Sequence, residues 1–212
     1  MQKPRLFGAD YSVYVRSARL AFTEKRVAYE LDAIDVFAAD GPPASYLKKH
    51  PFGRIPALEH GDFTLDETGA ITRYVDEAFE GPALQPVNIR SRARMNQIIS
   101  IADGYIYPTL VWGIYVEQVS KPRSGKQRDF SRLQTALDKA PICLQALEDL
   151  MTDGPWAGGS DLSLADLHLA PMMDYFMKAP VAPGLMRGVP ALASWWNRIS
   201  SRASMRATIP TS

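Results

Sequence analysis

The chain predicts an α/β domain followed by an all-α domain, and three observations carry that expectation. Short and alternating apolar runs are confined to the first third of the sequence. Every long apolar period beyond it is helical, and the aperiodic stretch Gly81-Pro82-Ala83-Leu84-Gln85-Pro86 separates the two regions. The expected division is therefore 1–81 for the first domain, 82–87 for the linker and 88–212 for the second domain.

Leu6-Phe7 predicts a short buried strand. Ser12 stands just ahead of a helical stretch reaching about Arg26, in which Tyr14, Ala18, Ala21 and Phe22 share one apolar face. Ala28 to Ile34 alternates, with Tyr29, Leu31 and Ala33 on one side and Glu30 and Asp32 on the other, as a half-buried strand does. Strand, helix and strand make a βαβ unit. Ala38 to Pro43 is rich in turn formers, and Pro56 to Glu59 and Phe63 to Leu65 flank His60-Gly61-Asp62 as a hairpin. From Glu67 the helical period returns through Ile71, Tyr74, Val75 and Ala78, completing a ββα unit that stops near Gly81-Pro82.

Beyond the linker, Ser91 to Val119, Phe130 to Met151, Leu164 to Met177 and Ala191 to Ala203 carry helical periodicity and predict a bundle. The basic run Lys121 to Arg128 contains Pro122 and Gly125 and reads as a solvated interhelical loop. Leu162-Ser163-Leu164-Ala165-Asp166 holds Ser-x-x-Asp, a capping-box variant that marks Ser163 and Asp166 as structural. His168 reads as packed in the same helix, and Trp195-Trp196 as packing the last one.

Composition excludes several function classes. The 24 basic and 23 acidic residues leave a net charge of +1, so neither nucleic acid nor an anionic membrane is an expected partner. A single cysteine, Cys143, excludes an intrachain disulfide, a Cys-x-x-Cys pair and a cysteine zinc cluster, and suits a reducing compartment. Leu6-Phe7-Gly8 is too brief for a signal-peptide core or a membrane span, so the expected location is the cytoplasm.

Three motifs in the first domain carry chemistry: Asp10-Tyr11-Ser12-Val13-Tyr14-Val15-Arg16, His50-Pro51-Phe52-Gly53-Arg54-Ile55-Pro56-Ala57-Leu58, and Leu65-Asp66-Glu67-Thr68-Gly69-Ala70-Ile71. With the βαβ-ββα order and the helices after it, they resemble the cytosolic glutathione transferases of serine type, phi-like or an unassigned bacterial class, over most of the chain. The resemblance implies a thioredoxin-like first domain, a helical second domain, glutathione as co-substrate and no metal or redox cofactor.

By that resemblance Ser12 is the catalytic residue and faces the glutathione sulfur. A free thiol of pKa ~8.5 is only a few per cent thiolate at neutral pH, and the thiolate is the nucleophile. Lowering that pKa by ~2 units takes roughly 2.7 kcal/mol, which a hydroxyl donor at a positive helix N-terminus can largely supply. Taken alone, Ser12 reads first as a helix N-cap. Arg16 either adds positive potential or forms a surface ion pair.

In the second motif the resemblance makes Ile55 the residue whose backbone pairs with the cysteinyl unit, ahead of a cis Pro56, so that the ligand is held like an added strand. Arg54 is a further glutathione contact or a solvated side chain. In the third motif Thr68 binds the γ-glutamyl carboxylate at a helix N-terminus, and Glu67 meets the γ-glutamyl ammonium; a negatively charged, capped first turn is the plainer account. The sequence departs from the family at His50, usually Asn, at Arg54, often Gln, and at Gly41-Pro42-Pro43, where a lysine for the glycyl carboxylate is expected. Lys48 and Lys49 lie nearby.

The resemblance also implies a homodimer and a second substrate, a small hydrophobic electrophile, received between the domains. Tyr11, Tyr14, Tyr107, Val111, Trp112 and Tyr115 are the acceptor-site candidates, and each reads equally as core or dimer contact. Asp103 reads first as a helix surface charge, with a role at a partner subunit's ligand as the alternative. Conjugation is the expected reaction. Peroxidase, isomerase or ether-cleaving chemistry on the same site, or a non-catalytic interaction module, are its rivals.

Overall fold

The structure is a computed structural model that describes residues 2–151 and 154–211. Its sheet has four strands in the order β2-β1-β3-β4. β1 (Arg5–Phe7) runs parallel to β2 (Glu30–Asp32) and antiparallel to β3 (Ala57–His60), which pairs antiparallel with β4 (Phe63–Asp66). Gly61, at φ +67, begins the two-residue turn between paired His60 and Phe63, where a left-handed residue matches the twist of the strands. α1 (Val13–Glu24) connects β1 to β2, the single turn α2 (Ala44–Leu47) precedes β3, and α3 (Thr68–Ala78) follows β4. The βαβ-ββα expectation is met, with β2 shorter than the alternation from Ala28 to Ile34 suggested. β2 is an edge strand, and Leu31, expected to face inward, is 37% exposed.

α1 and α3 pack together, and Leu6, Val15, Leu20, Phe22, Leu58, Ile71 and Val75 are wholly removed from solvent between the helices and the sheet. Fully burying side chains of this size is worth about 1.5–3 kcal/mol each. Lys25 and Asp76 form a buried pair at 3.2 Å, and Asp76 also accepts the Leu84 N–H (2.8 Å). The aperiodic stretch is therefore anchored to α3 by backbone satisfaction.

The chain divides into two compact units, Met1–Gln85 with Arg202–Ser212, and Pro86–Ser201. In the second unit α4 (Ile89–Ile101) runs into a π-helical segment, Ala102–Ser120, and on into α5 (Lys121–Arg123). After them come α6 (Phe130–Leu150), α7 (Leu164–Phe176), α8 (Ala182–Met186) and α9 (Pro190–Ser200). α7 is buried at every position from Leu164 to Met173, as a helix apolar on all sides must be.

Asp166 holds the start of α7. One of its oxygens accepts the Ser163 N–H (2.8 Å) and hydroxyl (2.9 Å); the other accepts the Ala157 N–H (2.7 Å) and the Trp195 indole (2.7 Å). Burial pushes its pKa up, and the four donors work against that push. The basic run is exposed from Pro122 to Arg128, as a solvated segment is, while half-buried Lys121 reaches the buried carboxylate of Glu117 (2.8 Å). Glu117 also accepts the Asp129 N–H (2.7 Å).

α10 (Ala203–Ala207) belongs with the first unit, although the sequence reading carried the helical domain on to residue 212. Side chains of α1 explain the return. Arg16 Nη2 donates to the Met205 carbonyl (3.0 Å) and its Nε to Thr208 Oγ1 (3.3 Å), while Glu24 accepts both Arg202 (2.7 Å) and Ser204.

Candidate functional site

Register alone gathers the three motifs. Phe7 is paired with Asp32 on one side and Ala57 on the other, and Ala57 with Asp66, so these four residues form the last row at one end of the sheet. The Gly8–Ser12 turn leaves that row from β1. Arg54, Ile55 and Pro56 enter it ahead of β3, and Glu67 and Thr68 leave it after β4. Residues more than fifty positions apart thus share one sheet end, the end at which ligands bind in open α/β sheets.

Gly8 permits the first turn. A Cβ there would lie 2.4 Å from Val15 Cγ2 and 3.3 Å from Ile55 Cβ, so only glycine lets α1 begin this close to the strand and to Ile55. Ser12 occupies the N-cap of α1 in extended conformation (φ −71°, ψ 129°), and its Oγ accepts the Val15 N–H at 3.4 Å. A serine hydroxyl that accepts through a lone pair still holds its own O–H as a donor, so capping and thiolate stabilisation are compatible at this one side chain. No acidic residue occupies the first turn of α1 to offset its positive end.

Arg16 does not form the surface ion pair that the sequence allowed. It is 2% exposed and bound to the C-terminal segment, which makes it structural rather than a surface charge.

The Ile55–Pro56 peptide bond is cis. Ile55 packs on a cluster of Phe7, Tyr46 and Ala57, and the strand ladder begins only at Ala57, which leaves the Ile55 backbone outside the sheet's own pairing. The Tyr46 hydroxyl donates to the Arg54 carbonyl (2.5 Å). Burial, aided by the charge of Asp66, raises its pKa and keeps it a donor. The Arg54 side chain is exposed. Of the two nearby lysines, Lys49 is engaged by Glu59 and lies over the Phe7 ring (4.9 Å), whereas Lys48 is exposed.

Glu67 adopts φ +66° and ψ 120°, a conformation that costs a non-glycine residue of order 1–3 kcal/mol and clusters at functional sites. Its side chain makes no capping bond and is exposed, so the plain reading of a capped, charged first turn does not describe it. Thr68, the first residue of α3, is 6% exposed.

Tyr11 donates to Asp35 (3.2 Å) and stacks on Phe37 at 6.4 Å. Burial, reinforced by Asp35, pushes its pKa up to about 12, so it remains protonated at neutral pH. Tyr14 is half-buried in α1. In the second unit the π winding overrides the expected α-helical face. Tyr107 meets Trp112 edge to face at 6.4 Å, five residues apart, whereas Tyr115 lies against Tyr175 at 4.5 Å and Val111 is 6% exposed. Asp103 accepts His168 Nε2 at 2.7 Å, and His168 is 2% exposed, packed as expected. Cys143 is buried in α6, and that burial pushes its thiol pKa up, away from nucleophilic use.

Two residues at this end of the sheet escaped the sequence reading. Asp35 had no signal beyond its place after a predicted strand. His50 stood out only as a departure from a family pattern, yet it is 2% exposed.

Residues 6–83 match the family model of the glutathione S-transferase N-terminal domain, and residues 106–203 that of the glutathione S-transferase C-terminal domain. Glutathione S-transferase F11 of Arabidopsis thaliana is 28% identical over 204 residues, 95% of each chain. Among solved structures, glutathione transferase F7 from Populus trichocarpa superposes with a TM-score of 0.84 at 30% identity, covering 97% of each chain. A glutathione S-transferase-I bound with lactoylglutathione superposes with a TM-score of 0.85 at 25% identity, covering 98% of each.

Proposed function

Because this chain belongs to the glutathione S-transferase family, in its phi-like part, we propose that it binds glutathione at the sheet end formed by Ser12, Arg54–Pro56 and Glu67–Thr68 and transfers its sulfur to a small hydrophobic electrophile. The observation that carries this reading is the shared sheet end. β1, β3 and β4 span two inter-strand steps, ~10 Å, which is the length of an extended tripeptide. Thr68 at the N-terminus of α3 takes the γ-glutamyl carboxylate, exposed Glu67 meets the ammonium, and the free Ile55 backbone pairs with the cysteinyl unit.

At the first strand the Ser12 hydroxyl donates to the sulfur. The thiol releases its proton to solvent, the thiolate attacks the electrophilic carbon, a carbon–sulfur bond forms and the leaving group departs with its electron pair. Ser12 acts by holding negative charge on sulfur, not by accepting the proton. No metal takes part in this scheme. The reading includes a homodimer acting in the cytoplasm, and Tyr11, Tyr14, Tyr107, Val111, Trp112 and Tyr115 remain its acceptor-site candidates.

Calorimetric titration of glutathione into the wild type and Ser12→Ala tests it, with thiolate absorbance and conjugation of an aromatic halide followed on the same samples. Both proteins bind, and the variant loses turnover by about 100-fold together with the thiolate signal. A wild type that fails to bind at millimolar glutathione overturns the reading in favour of an interaction module. Native mass measurement reads the oligomeric state.

A further inference from the structure

His50 is 2% exposed, and its Nδ1 has no hydrogen-bond partner among the described residues. Buried polar atoms are nearly always satisfied, so this nitrogen asks for an explanation. Its ring lies against Tyr46 (6.4 Å between centroids) and the edge of Phe52 (6.2 Å), and the polar group facing Nδ1 is Asp66 Oδ2 at 3.8 Å. That separation is within ion-pair reach and beyond hydrogen-bond reach; an approach of about 1 Å closes it.

The two residues stand on different parts of the site. His50 opens the segment that runs through Arg54 and Ile55 to Pro56, and Asp66 is the last residue of β4, immediately before Glu67 with its positive φ. The sheet joins these segments through the Ala57–Asp66 pair, and Tyr46 ties α2 to the Arg54 carbonyl. Apart from those backbone links, His50 and Asp66 are the side-chain pair poised to lock one segment to the other.

We propose that His50 is a positioning residue for glutathione: its Nδ1–H closes on the Asp66 carboxylate when the ligand is bound, and so sets the Glu67–Thr68 turn against the Arg54–Pro56 segment. The proposal rests on the glutathione reading above. His50 touches neither the sulfur nor the ligand in this scheme. It acts through Asp66 on the γ-glutamyl end, far from the bond being made, so its loss weakens binding and leaves the chemical step alone.

The test compares the wild type with His50→Leu, His50→Asn, Asp66→Asn and the double variant His50→Leu/Asp66→Asn. Glutathione Kd is read by calorimetry, kcat and KM by conjugation, and Tm on the same samples. His50→Leu raises the Kd and KM for glutathione roughly tenfold, the scale of one hydrogen bond to a charged group, with kcat held within about twofold. His50→Asn, which keeps an N–H donor on a shorter side chain, restores affinity to within about threefold of wild type. Asp66→Asn weakens binding as His50→Leu does, and the double variant is no weaker than either, the mark of one shared interaction.

Wild-type affinity in a folded His50→Leu, an Asn variant as weak as Leu at native Tm, or additive losses overturns the proposal. Should His50→Leu not fold, wild-type affinity in Asp66→Asn overturns it by itself. A wild type that binds no glutathione overturns the functional reading as well, whereas normal wild-type binding with indifferent variants overturns this inference alone.

Discussion

Asp166 shows what one buried side chain can organise. Four donors from Ala157, Ser163 and Trp195 converge on its two oxygens, so its removal leaves each of them buried without an acceptor. Asp166→Ala lowers unfolding stability by about 3 kcal/mol, read from urea unfolding, while glutathione binding per folded molecule is retained. The Ser-x-x-Asp spacing was enough to identify this residue, because a capping box is a local device. At Ser12, cap and thiolate donor are not competing accounts. The oxygen caps through a lone pair and keeps its proton, and Ser12→Ala therefore removes the cap together with the proposed thiolate donor.

At the scale of elements, the continuation of α4 departs most from its sequence pattern. Apolar residues at three- and four-residue spacing predicted a single α-helix from Ser91 to Val119, but Ala102–Ser120 winds with hydrogen bonds five residues back, as from Lys121 N–H to the Val116 carbonyl. Pro108, lying inside the segment, has no N–H to give to either pattern. Packing then decides the contacts of this segment. A Cβ on Gly113 would lie 2.3 Å from Ala136 Cβ, so the Ala136 methyl of α6 packs directly on the Gly113 backbone. Gly113→Val forces them apart and destabilises the protein by about 1–3 kcal/mol, seen as a lowered urea midpoint. Among the acceptor-site candidates, the winding also groups Tyr107 with Trp112 and sends Tyr115 to Tyr175, a sorting that α-helical spacing could not anticipate.

Over the whole molecule, the chain leaves the first unit at Gln85 and rejoins it at Arg202. Glu24 is the charge that receives it. Burial raises its pKa, but hydrogen bonds from Arg202 and Ser204 outweigh that effect and hold it below the ordinary carboxylate range. A depressed folded pKa stabilises above the unfolded value of about 4.3 and loses that contribution as pH falls through the lower folded value. Urea midpoints measured from pH 6 to 3 therefore fall more steeply for wild type than for Glu24→Gln, and the gap between the two narrows as the pH falls. Equal slopes remove Glu24 from the account of acid sensitivity.

By itself the sequence determined the βαβ-ββα order and the helical character of the chain beyond it, the hairpin, the buried start of α7, and the three motifs that mark Ser12, Ile55-Pro56 and Glu67-Thr68. Each of these is written in residues a few positions apart, where spacing, capping and turn chemistry act locally. Only the tertiary structure decided that Phe7, Ala57 and Asp66 share one row, that Arg16 is buried under the C-terminal segment, that the second half of the long helix winds as π, and that His50 faces Asp66. Those outcomes depend on strand register and close packing between residues remote in sequence, and no local periodicity encodes which distant side chain will fill a given contact.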